Sequence, residues 1–376
     1  MFSKSKFCLV YEKSRISNFV IFRNDPSIYR TMNLGILGFV GIFCFHFIQT
    51  VLGETECPVP MIPASDRRTN KQLLRVAQYN VEWLFIDYCS SSDCPGSGCT
   101  WKNDSEAQTH LSTISNNIKS INPDIMNFAE IEGCDEINLL RDNLDDSFEG
   151  YLIKGTDTST GQNVGMISRI DPLIPLYRTE NRKTYPIEGS TCGYTGEPKT
   201  TGVSKHYITE FLVNDIAFVM LGIHLLAQPT EPTRCAKREA QALVIQEMIA
   251  YYLSMNYEVI VVGDFNDYDG MVLDKNNNNP TSKVLEILKG DFGTYKDKYQ
   301  LYSVAENLEQ SERYSDWYDK NSDCQSSDNE FSQIDHILVS EYFFKNIQNV
   351  SMFHSYKEYC NTYNSDHYPL IVDFLV

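Results

Sequence analysis

From Leu73 onward the chain alternates short apolar runs with polar stretches. LLRVAQYNV (73–81), DIMNFAEI (124–131), NVGMIS (163–168), HYITEFLV (206–213), AFVMLGIHLL (217–226), EVIVVGDF (258–265), QIDHILVS (333–340) and HYPLIVDFLV (367–376) are rich in β-branched and aromatic residues. They read as strands. Two segments repeat at helical spacing instead. Ala107, Leu111, Ile114, Ile118 and Ile121 line one face of 106–121, and Ala240, Leu243, Val244 and Met248 line one face of 235–253. Several strands are apolar on both faces, so they need cover on both sides. That predicts packed sheets covered by helices, an α/β sandwich. The polar stretches 276–279 and 311–330 read as surface loops.

The first 53 residues differ from the rest. Residues 34–52 contain no Asp, Glu, Lys or Arg, with Arg23 and Arg30 upstream. We expect a poorly defined extension over 1–31 and a signal peptide over 32–53, with an uncleaved signal anchor as the alternative. A linker over 54–72 and one domain over 73–376 follow. The protein is then expected to be secreted, or else membrane-anchored in type II orientation. Of 11 cysteines, those after residue 53 are scattered, which suits disulfides better than a zinc site. Cys94 and Cys99 look like a stapled loop, and Asn103 and Asn349 begin glycosylation sequons.

Net charge is −18, and the first 53 residues carry six Lys/Arg against two Asp/Glu, leaving −22 on the remainder. Such a chain does not hold a polyanion by bulk charge. A phosphate-bearing substrate would need local basic groups, with Lys154, Arg169, Lys205, Arg234, Lys237 and Arg238 as candidates.

Polar residues recur where the apolar runs end: Asn80 and Glu82, Glu130, His224, Asp264 and Asn266, Asp335 and His336, and Asp366 and His367. A single such case is turn chemistry. Their repetition in carboxylate, amide and imidazole suggests one shared site. VVGDFNDYDG (261–270) is not an EF-hand loop, because counting from Asp264 puts Asp269 at the glycine position and Lys275 at the terminal glutamate position. Hard oxygen donors suit Mg²⁺, Mn²⁺ or Ca²⁺. Imidazoles suit acid and base work near neutral pH.

The pieces RVAQYNVEWLF (75–85), PDIMNFAEIEG (123–133), NVGMISR (163–169), LGIHLLAQ (221–228), VVGDFND (261–267), QIDHILVS (333–340) and SDHYPLIVDF (365–374) resemble, in motif order, the endonuclease/exonuclease/phosphatase superfamily. The resemblance implies a deoxyribonuclease I-like α/β fold, a four-layer sandwich of two packed mixed β-sheets flanked by helices. It implies Glu130 as principal metal ligand, with Glu82, Asn80 and Asp366 as further ligands. Asn80, Asn266 and Arg169 would contact substrate. His224, Asp264, Asn266, Asp335 and His367 would be catalytic, Asp335 orienting His367. His336 is expected to be structural. His224 and Ala227 stand where abasic-site nucleases carry Tyr and Asn, and Glu132 stands where deoxyribonuclease I carries Arg. EIE (130–132) and NVEWLF (80–85) look closer to secreted nucleases of bacterial type.

The expectation is a secreted endonuclease that cuts nucleic acid by in-line water attack. It would be monomeric, use Mg²⁺ or Mn²⁺, with Ca²⁺ as a structural ion, and contact membrane only through an uncleaved anchor. A sphingomyelinase-like lipid phosphodiesterase is the first rival, although no long apolar hairpin follows residue 53. An inositol-phosphate phosphatase and a binding protein that has lost its chemistry are the others.

Overall fold

A computed structural model of the protein describes residues 57–86, 101, 103–356 and 362–376. The expected extension (1–31), the signal segment (32–53) and the Cys94/Cys99 loop lie outside the described residues.

The strands, in chain order, are β1 (Leu73–Leu84), β2 (Ile125–Ile131), β3 (Glu149–Leu152), β4 (Asn163–Ser168), β5 (Lys183–Tyr185), β6 (Lys199–Thr201), β7 (Lys205–Val213), β8 (Ile216–His224), β9 (Glu258–Asp264), β10 (Tyr302–Ser303), β11 (Asp316–Trp317), β12 (Phe331–Ser332), β13 (Asp335–Val339), β14 (Ile347–Met352) and β15 (Leu370–Leu375). The helices are α1 (Asp104–Ile121), α2 (Cys134–Asp142), α3 (Pro232–Ser254), α4 (Val284–Lys289) and α5 (Glu341–Lys345). One mixed sheet has six strands in the order β14-β15-β1-β2-β4-β3, and a second has five in the order β10-β13-β9-β8-β7.

Alternation within each strand builds the layers. Leu74 and Val76 of β1, Phe218 and Met220 of β8 and Ile260 and Val262 of β9 pack together between the sheets. Their neighbours face outward. Ala77 and Tyr79 meet Ile114 and Ile118 of α1, whereas Val219, Leu221, Val259 and Val261 meet Ala240, Val244 and Ile245 of α3. The order is helix, sheet, sheet, helix, the expected four-layer sandwich. Both long helices begin at capped ends: the Asn103 side chain accepts from the Glu106 N–H, and Glu231 caps α3 just before Pro232.

Three expectations change. The described part of 54–72 is not a free linker. Cys57 is disulfide-bonded to Cys134, Arg67 pairs with the buried Asp171 at 2.6 Å, and the Arg67 N–H donates to the Arg169 carbonyl. The loop 311–330 is not all surface, because β11 lies inside it and Asp316 bridges to His367. The last strand starts at Leu370 rather than at residue 367, because Pro369 brings no N–H to a ladder.

Gly263 in β9 shows how tightly the ladder is drawn. Its φ is +154°, and a Cβ there would sit 1.8 Å from the Ile223 carbonyl oxygen. Gly263→Ala is therefore expected to destabilise the fold by more than about 3 kcal/mol, read as a lowered denaturant midpoint.

Candidate active site

The stripes between the sheets change chemistry at one end of the sandwich. Leu74 and Val76 are followed by Gln78 and Asn80, Phe218 and Met220 by Gly222 and His224, and Ile260 and Val262 by Asp264. β13 runs the other way, so Val339 and Ile337 lead back to Asp335. On β7, Phe211 and Tyr207 lead back to Lys205. Register brings the polar ends level: His224 lies opposite Asp264 and Lys205, and Asp264 lies opposite Asp335. Gly222 leaves room behind them, since a Cβ there would meet the Tyr207 ring at 2.2 Å and Asn127 Oδ1 at 2.4 Å.

Two bulges shape the backbone around the remaining carboxylates. Register shifts between Asn80 and Leu84 of β1, and between Ala129 and Ile131 of β2. Glu82 (φ 46°), Trp83 (φ 53°) and Glu130 (φ 68°) adopt the left-handed conformation there. Each costs about 1–3 kcal/mol and persists only where the surroundings enforce it. The enforcement comes from behind: Trp101 Nε1 donates to the Trp83 carbonyl at 2.7 Å, and His110 Nε2 lies 2.7 Å from the Val81 carbonyl.

Asn80 Nδ2 donates to Glu130 Oε1 at 3.2 Å and to Asp264 Oδ2 at 3.0 Å. His224 Nε2 lies 3.6 Å from Asp264 Oδ2, 4.0 Å from Glu130 Oε1 and 3.4 Å from Lys205 Nζ. Across the crevice, His367 Nδ1 hydrogen-bonds Asp335 Oδ2 at 2.7 Å. Asp335 Oδ1 accepts from Gln78 Nε2 at 2.9 Å, and Gln78 Oε1 accepts from Asn127 Nδ2 at 2.6 Å. His367 Nε2 faces Asp316 at 3.7 Å and Asp366 at 3.8 Å. The Asp366 N–H donates to Glu82 Oε2 at 3.0 Å, joining the two halves.

The crevice is crowded with negative charge. Burial first, then Asp366 and Glu130, pushes the Glu82 carboxyl well above its usual range. Burial and then Asp335 raise Asp264 to about 8. Asp366 rises to about 7, again chiefly by burial, although its side chain keeps 36% exposure and solvent screens part of that shift. Burial, then Lys205 and His367, holds His224 well below the ordinary histidine range. Burial opposes the charged form of His367 as well, but Asp335, Asp366 and Asp316 outweigh it and hold the ring cationic.

Nearly all the expected residues meet here: Asn80, Glu82, Glu130, His224, Asp264, Asp335, Asp366 and His367. Asn266 borders the site. Its backbone N–H caps Asp264 Oδ1 at 2.8 Å and its amide holds the Leu225 carbonyl at 3.1 Å, so its side chain fixes the loop after His224. Arg169 does not join them. β4 runs antiparallel to β2, so Arg169 falls at the far end from Glu130. There it bonds the Pro123 carbonyl and Ser147 and covers the Phe148 ring. Asn80 also acts as a clamp: its Oδ1 accepts the Glu82 N–H while its amide is shared between two carboxylates. Arg238 is spent on a buried pair with Asp267 at 2.9 Å, and His336 Nε2 meets the Asp267 carbonyl, a structural role as expected.

Asp316 was not foreseen, since nothing separates it from the other acids of its loop. Gln78 and Asn127 could have been found as polar residues at inward positions of otherwise apolar strands.

The donor set fits a divalent ion. Glu130, Glu82 and Asp366 offer hard oxygens, and Asp366 Oδ1 is buried with no hydrogen-bond partner. Asp264, Asp335 and His367 also converge, as do Asp316, Asp366 and His367. The 2.7 Å bond of His367 Nδ1 to Asp335 makes the first of these a hydrogen-bonded dyad rather than an ion site.

No family model matches the chain, and no curated protein matches it. Solved structures do. TDP2 from C. elegans is similar at 14% identity, over 81% of this chain and 75% of that one, with a TM-score of 0.47. An endonuclease/exonuclease/phosphatase family protein from Bacteroides thetaiotaomicron is similar at 18% identity over 80% and 94%, TM-score 0.46. A 3′-5′ exonuclease from Neisseria meningitidis is similar at 13% identity over 80% and 99%, TM-score 0.49.

Crowded acids have a consequence for stability. A carboxyl whose folded pKa is raised stabilises the fold fully below its unfolded value of 3.8, and that contribution is lost as pH rises through about 7 for Asp366 and about 8 for Asp264. In chelator the melting temperature is expected to fall between pH 5 and pH 8, and millimolar Mg²⁺ is expected to restore it at pH 8 (both to be read by scanning calorimetry).

Proposed function

We propose that this chain is a divalent-metal-dependent phosphodiesterase, a hydrolase that cuts DNA or another nucleic acid by in-line water attack. One observation carries the reading. A histidine held cationic by a buried carboxylate, His367 with Asp335 at 2.7 Å, shares one acidic crevice with a histidine held neutral, His224 beside Asp264 at 3.6 Å. A charged imidazole facing a neutral one suits a reaction in which one ring protonates a leaving oxygen while the other hydrogen-bonds the phosphoryl group.

A Mg²⁺ or Mn²⁺ ion held by Glu130, Glu82 and Asp366 would supply positive charge to the phosphoryl oxygens. The chain does the rest. Asp264, steadied by Asn80 and by the Asn266 N–H, orients the attacking water and accepts its proton. His224 stays neutral and hydrogen-bonds the phosphoryl group, with Lys205 Nζ 3.4 Å away offering a second donor. His367 presents Nε2–H to the departing oxygen and protonates it as the P–O bond breaks. Asp335 keeps the ring oriented and charged, as in triad logic.

The lipid rival would need an apolar surface for membrane contact. The β5–β6 hairpin, which packs on α3, reads KTY and KTT. A polar hairpin gives no apolar surface for a lipid. Secretion belongs to the same proposal. Cys57–Cys134 and Cys192–Cys235 fit an oxidising compartment. No helix among the described residues is long and apolar enough to cross a membrane.

The test is a substrate panel of DNA, RNA, sphingomyelin and a phosphoinositide, with Mg²⁺, with Ca²⁺ and with chelator. Cleavage of a nucleic acid that chelator abolishes is the expected outcome, and cleavage of sphingomyelin alone would move the assignment to lipid. His367→Ala and Glu130→Ala should each remove most activity while the melting curve stays cooperative. Asp335→Asn should lower kcat by about 10²–10⁴-fold, because the ring loses its orienting charge.

A further inference from the structure

Next to the crevice lies a polar groove of about 310 Å³, lined among others by Arg178, Arg182, Lys237, Asp157 and Gln241. It adjoins the catalytic residues through the chain. Ser204 and Leu226 line it, one residue before Lys205 and two residues after His224, and Asp157 Oδ2 lies 3.8 Å from Lys205 Nζ. Three cations border this groove in a protein of net charge −18. Two acids border it too, but they do not cancel the cations. The Asp157 carboxylate is occupied by the Ser159 N–H, Thr160 and Lys205, and the Glu180 side chain is 81% exposed at 3.6 Å from Arg178.

Arg178 is unusual among the three. Its side chain is only 8% exposed, and Nε is buried with no hydrogen-bond partner. Nη2 donates to the Val203 carbonyl at 3.0 Å and to Thr156 Oγ1 at 3.4 Å. A guanidinium under-satisfied in this way is costly to bury unless an anion completes it. Arg182 and Lys237 make no ion pair among the described residues. Arg182 is tied only to Thr200, and Lys237 sits over the Tyr185 ring at 5.7 Å.

The groove is also held rigid. Cys192–Cys235 fastens the segment between β4 and β7 to α3, and Lys183 pairs with Glu247 of α3. Gln241 of α3 donates to the Gly202 carbonyl at 3.2 Å and accepts from the Leu226 N–H at 3.1 Å. The backbone that carries the cations is therefore fixed relative to His224, which limits the entropy lost when an anion docks.

We propose that this groove is an anion subsite that takes a second, uncleaved phosphate of a nucleic-acid strand whose scissile phosphate lies at His224 and His367. The proposal rests on the phosphodiesterase reading of the crevice. It gives that reading a substrate class: a chain of phosphates at regular spacing rather than a lipid with a single phosphodiester. Arg178 reads the phosphate from within the wall, and Arg182 and Lys237 close over it from the rim.

The test compares a short fluorescein-labelled single-stranded DNA with bis(p-nitrophenyl) phosphate, which has one phosphate and nothing to place in the groove. Binding of the DNA is measured by anisotropy in chelator, and turnover of both substrates is measured with Mg²⁺. The double variant Arg182→Ala/Lys237→Ala should lose about tenfold in DNA affinity and in DNA kcat/KM, with less than about a twofold loss on bis(p-nitrophenyl) phosphate. Its log–log salt dependence should flatten by roughly 0.7, for the one phosphate that is no longer neutralised. Lys237→Gln, a single surface change, should move in the same direction if the double variant melts early.

Unchanged DNA binding, or equal losses on both substrates, would overturn the subsite. So would a preference for a soluble bisphosphate over the DNA strand. If neither substrate turns over but the variant still loses DNA binding, the subsite stands and the catalytic reading fails.

Discussion

Asp335 is the residue on which the crevice depends. It is fully buried where the two sheets face each other, and its two oxygens serve opposite sides. Oδ1 takes a hydrogen bond from Gln78 of the six-stranded sheet, and Oδ2 holds His367. An isolated carboxylate there would be expensive, so the packing of the sheets and the seating of His367 are set together. Asn127 continues the chain by donating to Gln78, and the Asp335 N–H is held by Ser315 Oγ at 2.9 Å. The loop with Ser315 also carries Asp316, so the acid facing His367 from the other side is placed by the same anchor.

Around that anchor the fold gives up stability for chemistry. Glu82, Asp264 and Asp366 are raised by burial and by one another, and Glu82, Trp83, Glu130 and Asn266 hold left-handed backbone conformations. A cation relieves the first cost but not the second. The second is carried by the large dry layers on both outer faces, where α1 and α3 cover the sheets, and by Trp101 and His110 behind the bulge. A site built to bind charge is expected to sit among the least relaxed parts of a protein.

Charge is divided in the same way. A net −18 repels polyanions at long range, so affinity for a strand of phosphates must come from a few close contacts. Lys205 stands in the crevice, and Arg178, Arg182 and Lys237 border the adjoining groove. Other basic residues serve the fold: Arg238 neutralises Asp267 in the interior, Lys289 does so for Asp269, and Arg169 closes the far end of the sheet.

Much of this was legible in the chain itself. Period-two alternation marked the core strands, helical spacing marked α1 and α3, and recurring acids and histidines at strand ends marked the crevice. Those are local signals, written in neighbouring residues. The motif order also singled out Glu130, His224, Asp264, Asp335, Asp366 and His367, which the structure does bring together. The rest depended on how distant strands pair. Antiparallel pairing of β4 with β2 removed Arg169 from the site, and the bulge in β2 broke the alternation that would have turned Glu130, next to Ala129, away from Asn80. Asp316 looked like any loop acid until β11 paired against His367, and the stretch after Cys57 looked like a tether until Arg67 met Asp171. Sequence determined which residues are candidates for the chemistry, because residue type and spacing are local. Tertiary structure alone decided which of them share one crevice, because register, bulges and sheet-to-sheet packing join residues far apart in the chain.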